Sequence, residues 1–238
     1  MALLLSTTDL VVSLTFTLIV ASQWLSRRRT HALLWTWALI VWTLAVAAET
    51  AAALNGAWNP LTYRMYYAFG ALMVAAWLGA GSLHLSPGRR LARGFTWVIA
   101  ALSLIGAFLI FTYPIDPAKL GVVNSLGFVD SELVKVFPIS VRIVVAITNI
   151  LGSVAFIGAA LYSLWAFRRR GDVPGNRVAG VGIIALGGLL AATAHSLGAV
   201  GGPGLFRISE VATIVLIFSG YLLSTRPAPS AVQAPASA

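Results

Sequence analysis

Long apolar runs separated by short clusters of Arg, Pro and Gly dominate the chain. Seven of them reach the roughly 20 residues that a helix needs to cross hydrocarbon: 8–26, 31–54, 63–85, 92–113, 139–166, 177–200 and 205–225. The pattern predicts an all-α integral membrane protein with a seven-helix domain over residues 1–226. The first run is not expected to be a cleavable signal, because Arg27, Arg28 and Arg29 follow it and no basic segment stands ahead of it. The one long connection, 114–138, carries Gly121 to Val129, which can form a short hairpin with Asn124-Ser125 near its turn. A loop of that length over a bundle is either a lid or a packed cap. Residues 227–238 are small and Pro-rich and are expected to be disordered, with no further domain after them.

Composition agrees. The chain is 59% hydrophobic and 10% charged, which excludes an ordinary soluble domain and a disordered one. It has no Cys, so disulfide frameworks and thiol chemistry drop out. The net charge of +9 changes meaning once it is sorted by side. One side holds eleven cations (Arg27–Arg29, Arg89, Arg90, Arg93, Arg168–Arg170, Arg177, Arg226) against Asp172 alone. The other holds Arg64, Lys119, Lys135, Arg142 and Arg207 against Asp9, Glu49, Asp116, Asp130, Glu132 and Glu210. The positive-inside rule predicts N-terminus out and C-terminus in, in a cell (plasma or inner) membrane. The bilayer, with anionic headgroups at the Arg-rich face, is the expected partner; nucleic acid is not.

The chain also repeats itself. Ser22-Gln-Trp-Leu-Ser-Arg-Arg-Arg at the end of the first span matches Ser163-Leu-Trp-Ala-Phe-Arg-Arg-Arg at the end of the fifth. Ala48-Glu49-Thr50-Ala51 matches Ala191-Ala192-Thr193-Ala194, and Tyr63-Arg64 matches Phe206-Arg207. These matches predict a parallel 3+1+3 pseudo-repeat with the fourth helix as linker, one known transporter plan. The topology resembles the broad group of seven-helix proteins that includes sugar and vitamin transporters, rhodopsins and seven-helix receptors. The seventh span has no Lys for a retinal Schiff base, so a covalent retinal is not expected.

Ionisable groups within a bilayer are costly and face the bundle interior. Trp35, Trp42 and Glu49 share one face of the second helix, and Tyr67 and Trp77 lie on a stripe of the third with Arg64 beside it. Arg142 and Asn149 share a face of the fifth. His195 lies among Ala and Gly on the sixth. Arg207 and Glu210 are i, i+3 neighbours on the seventh. Glu49, Arg64, Tyr67, Trp77, Arg142, Asn149, His195, Arg207 and Glu210 are therefore the candidate ligand or ion pathway, most of them in a polar chamber of the outer half. The competing readings are interfacial snorkelling of the arginines and sealing pairs, Glu49 with Arg64 or Glu210 with Arg207. The fourth span has only Thr96, Ser103 and Thr112 as polar groups between Phe95 and Tyr113, and is expected to face lipid.

Neither a metal site nor a catalytic residue is predicted. The three His residues are far apart with no HxxxH or HExxH spacing, and His31 and His84 suit a buried haem poorly. No GxSxG elbow or nucleotide loop occurs. An enzyme is the least favoured class. Three remain: a small-solute or ion transporter, possibly proton-coupled, as the first; a receptor binding an outer ligand and signalling through a separate partner; and a non-catalytic subunit, or a lipid- or pigment-binding component, of a membrane complex.

Overall fold

The computed structural model describes residues 2–120, 136–201 and 203–226; of residues 2, 118, 195–201 and 203–206 it describes the backbone alone. The possible hairpin at 121–129 and the tail at 227–238 lie outside the described residues. Seven helices are long and apolar enough to cross a membrane. They are α1 (Ala2–Arg27), α2 (Thr30–Asn55), α3 (Pro60–Leu83), α4 (Arg89–Thr112), α5 (Ile139–Arg170), α6 (Gly175–Gly201) and α7 (Pro203–Thr225). The described residues contain no strand. The chain is a polytopic membrane protein built of helices.

Local chemistry sets the ends. Gly56 closes α2 in the left-handed region (φ 67°), with its N–H donating to the Ala53 carbonyl. Asn59 and Thr62 form a capping box at the start of α3, where Pro60 occupies a position whose N–H would be unpaired anyway. Gly171, at φ 72°, ends α5 immediately after its Arg triplet. Within α3, Tyr66–Val74 widens into a π-helix. Such widened turns are rare and concentrate at functional positions.

Six helices close a ring. α1 packs on α2, α2 on α3, α3 on α5, α5 on α6, α6 on α7, and α7 returns to α1. α4 lies outside against α3 and α5. It buries Ile99, Ser103, Gly106 and Ile110 and exposes Trp97, Leu104, Ile105 and Phe108. This division leaves one apolar face of α4 uncovered by the other helices. The face predicted on α2 is also inward, with Trp35, Leu39, Val46 and Glu49 all buried.

Two crossings depend on glycine. A Cβ on Gly79 of α3 would run into the backbone of Gly152 on α5, and one on Gly152 into Ala75 and Ala76. On the α6–α7 pair, a Cβ on Gly220 would come within 2.6 Å of the Gly180 carbonyl. Small residues here let backbones touch, which is how helices associate without a hydrophobic driving force. Gly152→Val is expected to destabilise by about 2–3 kcal/mol through overpacking. Gly158→Val, one and a half turns along the same helix in open space, is expected to stay near wild type. Thermal unfolding in detergent separates the two; equal melting would refute the close crossing.

Candidate functional site

The buried charges converge at one place. Arg207, four residues into α7, is 1% exposed. Its Nη1 lies 2.7 Å from Glu49 Oε2 on α2, 2.8 Å from Glu210 Oε2 one turn along α7, and 3.7 Å from Asp9 Oδ2 on α1. Asp9 and Glu49 are nearly as buried as Arg207, whereas the Glu210 side chain keeps 26% of its surface. Arg207 therefore ties together the three helices that meet where the ring closes. Tyr66, the first residue of the π-helical segment, is close enough to feel the charges of Glu210, Glu49 and Arg207.

The seam leading to this cluster is polar. Ser6, Asp9, Ser13 and Thr17 recur at helical spacing on α1, and all are buried. Thr17 shares a 3.0 Å hydroxyl–hydroxyl hydrogen bond with Thr43 of α2. Some groups in the cluster are left over. Asp9 Oδ1, Arg207 Nε and Arg207 Nη2 are buried without a hydrogen-bond partner in the protein. Buried polar groups are normally paired, so these three atoms leave hydrogen-bonding capacity in the cluster beyond its ion pairs.

Of the nine residues selected from the sequence, the fold joins Glu49, Arg207 and Glu210. Glu210 pairs with Arg207 as one expected alternative had it. Glu49 pairs with Arg207 and not with Arg64. Arg64 Nη2 instead donates to the Tyr113 carbonyl at 2.7 Å, tying α3 to the end of α4. Tyr67 packs with Tyr63 and Phe137 in an aromatic group, and Arg142 lies near both tyrosines. Asn149 Nδ2 donates to the Ala71 carbonyl at 3.0 Å, pairing a backbone oxygen of the π-helical segment. Trp77 Nε1 donates to Ser103 Oγ at 3.2 Å, toward α4. These five belong to the α3–α4–α5 side of the bundle and are separate from the ion cluster. The His195 side chain lies outside the described residues. Asp9 was not among the nine. Its signal was the inward spacing of Ser6, Asp9, Ser13 and Thr17.

A second feature lies at the opposite, Arg-rich end. All six ring helices, or their immediate ends, line a cavity of about 950 Å³, to which α4 contributes nothing. Its floor is aromatic. Trp35 stacks with Tyr221 at 5.7 Å and packs against Phe156 at 5.9 Å, with Phe16 behind them. Two hydrogen bonds fix this floor: Trp35 Nε1 to Ser82 Oγ, and the Tyr221 hydroxyl to Gln23 Oε1 at 2.6 Å. Trp35 and Glu49 are about four turns apart, about 21 Å along α2. The bundle thus has an aromatic-floored cavity at one end and an ion cluster toward the other. His84, at the end of α3, is outside the cavity and pairs with Thr96 at 3.1 Å. Burial first, and then Arg93, hold its imidazole below the usual histidine range.

Compared with known proteins, the chain matches no protein-family model and no curated protein sequence.

Proposed function

We propose that the chain is a small-solute or ion transporter whose buried carboxylates handle a coupling proton. The charge imbalance around Arg207 carries this reading. One cation faces Asp9, Glu49 and Glu210, so full ionisation would leave two negative charges unbalanced in the membrane interior. Uncompensated buried charge costs several kcal/mol per ion. A proton is the smallest species that can supply each of the two missing positive charges. Asp9 Oδ1 offers it an unpaired oxygen, and the partly exposed Glu210 offers it a way in. Among the described residues no group of three or more His, Asp or Glu is arranged around a common metal position; the carboxylates point at the guanidinium instead.

The architecture supports the same reading. The eleven-to-one excess of cations over acids favours the Arg-rich end as the cytoplasmic one. The cavity would then open inward, and the ion cluster would lie toward the outside. A cavity at one end and an ion cluster toward the other suit one state of an alternating-access cycle. The ring of α1–α3 and α5–α7, with α4 outside it, suits two parallel triplets joined by a linker helix. The membrane would be a plasma or inner membrane.

The test is solute-induced current. Proteoliposomes on a solid-supported membrane would be challenged with sugars, amino acids and monocarboxylates under a pH gradient. A current that needs one solute class and reverses with the gradient is expected. Saturable binding of one of these solutes without any current would point to a receptor instead.

A further inference from the structure

The axial cavity has the composition of a binding site, and it does not depend on whether the chain transports. Five arginines line it: Arg27 and Arg29 from the α1–α2 connection, Arg170 from the end of α5, Arg177 from α6 and Arg226 from the end of α7. Asp172, the one acid assigned to this face, is not among the lining residues. Topology alone would place arginines at this end, but it would not aim them at one cavity. The triplets divide in this respect. Arg27 and Arg29 line the cavity, while Arg28 lies over the Trp24 ring at 5.0 Å. Arg170 lines it, while Arg169 lies over Trp165 at 4.1 Å. The segments that contribute are far apart in sequence, so their convergence is a product of the ring.

Below this basic rim the walls turn apolar. Val20, Trp35, Phe156 and Ile184 form the deeper surface and are all buried. Ser86 Oγ at the wall is buried without a hydrogen-bond partner. A concave, low-dielectric site lined by one sign of charge concentrates the opposite charge. A volume of 950 Å³ lies in the range that encloses a small organic ligand. A cation-rich mouth over an aromatic floor accepts an anion at one end of the ligand and an apolar body at the other.

We infer that this cavity binds an amphipathic organic anion, with its carboxylate or phosphate among Arg27, Arg29, Arg170, Arg177 and Arg226 and its apolar body against Trp35 and Phe156. The same chemistry has two sources, a soluble aromatic or aliphatic acid and an anionic lipid entering from the bilayer.

The test uses the full chain in phosphatidylcholine nanodiscs, with 1-naphthoate as probe and 1-naphthalenemethanol as its neutral counterpart, each counted against empty nanodiscs. Naphthoate is expected to bind saturably, to bind better than the alcohol, and to weaken as salt is raised. Arg27→Gln combined with Arg177→Gln should weaken it about tenfold or more. Arg90→Gln, at a residue outside the cavity, should leave it within about twofold. Ala160→Phe, which fills the cavity from α5, should abolish binding. Displacement of naphthoate when phosphatidylglycerol is added to the nanodiscs assigns the site to lipid; undisturbed binding assigns it to a soluble acid. Equal binding of alcohol and acid, or salt-independent binding, overturns the inference on wild-type protein alone. So does naphthoate affinity unchanged in both the double variant and Ala160→Phe.

Discussion

Arg207→Gln is expected to destabilise the protein by about 3–5 kcal/mol, the cost of leaving buried charges without their partner. The reason is local. Arg207 Nη1 is the shared partner of Asp9, Glu49 and Glu210, and those residues belong to the three helices that close the ring. Without the guanidinium, α7 loses its polar tie to α1 and α2, and three carboxylates face one another in a poorly solvated place. The effect should show as a lower melting temperature in detergent and a lower yield of folded protein. Combining Arg207→Gln with Glu49→Gln and Asp9→Asn removes most of the stranded charge and should recover much of the loss. A single variant that melts like wild type would mean that the cluster does not hold the helices together.

Glu49→Gln should separate stability from function. Glutamine keeps the volume and can still accept a hydrogen bond from Arg207 through its amide oxygen. It cannot take up and release a proton. The fold is therefore expected to survive, while solute movement driven by a pH gradient falls by about a hundredfold or more, the scale on which a positioned proton-transfer group acts. Asp9→Asn should act in the same direction. Asn149→Ala, which loses the hydrogen bond donated to the Ala71 carbonyl and the long one accepted from Ser153, should cost about 1–2 kcal/mol of stability and leave the flux intact. Gradient-driven flux that persists in Glu49→Gln and Asp9→Asn together would remove the carboxylates from the mechanism.

The parts of this arrangement that depend on one helix at a time were legible in the sequence. Hydropathy located seven spans, because a spanning helix has to be apolar throughout. Helical spacing found the inward face of α2 through Trp35 and Glu49, and the exposed face of α4 through its lack of polar groups. Pairings between helices were harder to read. Glu49 had two arginines at comparable depth, Arg64 and Arg207. The choice between them follows from ring closure, which brings α7 against α1 and Arg207 within reach of Glu49, while Arg64 turns toward Tyr113.

Asp9 is hard to read from the sequence for a different reason. Hydropathy began the first span at residue 8, which left Asp9 at the membrane edge. The helix starts at Ala2, so Asp9 lies about two turns along it, on the polar stripe that faces inward. The π-helical turn at Tyr66–Val74 has no sequence signature at this level. It packs against both α2 and α5. The basic rim of the cavity was visible only as charge. Eleven cations identified a face, but which of them turn inward depends on where six helix ends meet.

Proton movement and solute movement, recorded together in the same proteoliposomes, test the central claim most directly. An entrapped pH-sensitive dye reports the first and a labelled solute, chosen from the current screen, reports the second. The account predicts that solute entry carries protons with it, and that Glu49→Gln abolishes both signals in a protein that still folds. Solute entry with no accompanying proton movement, or proton movement unchanged in Glu49→Gln, would contradict it.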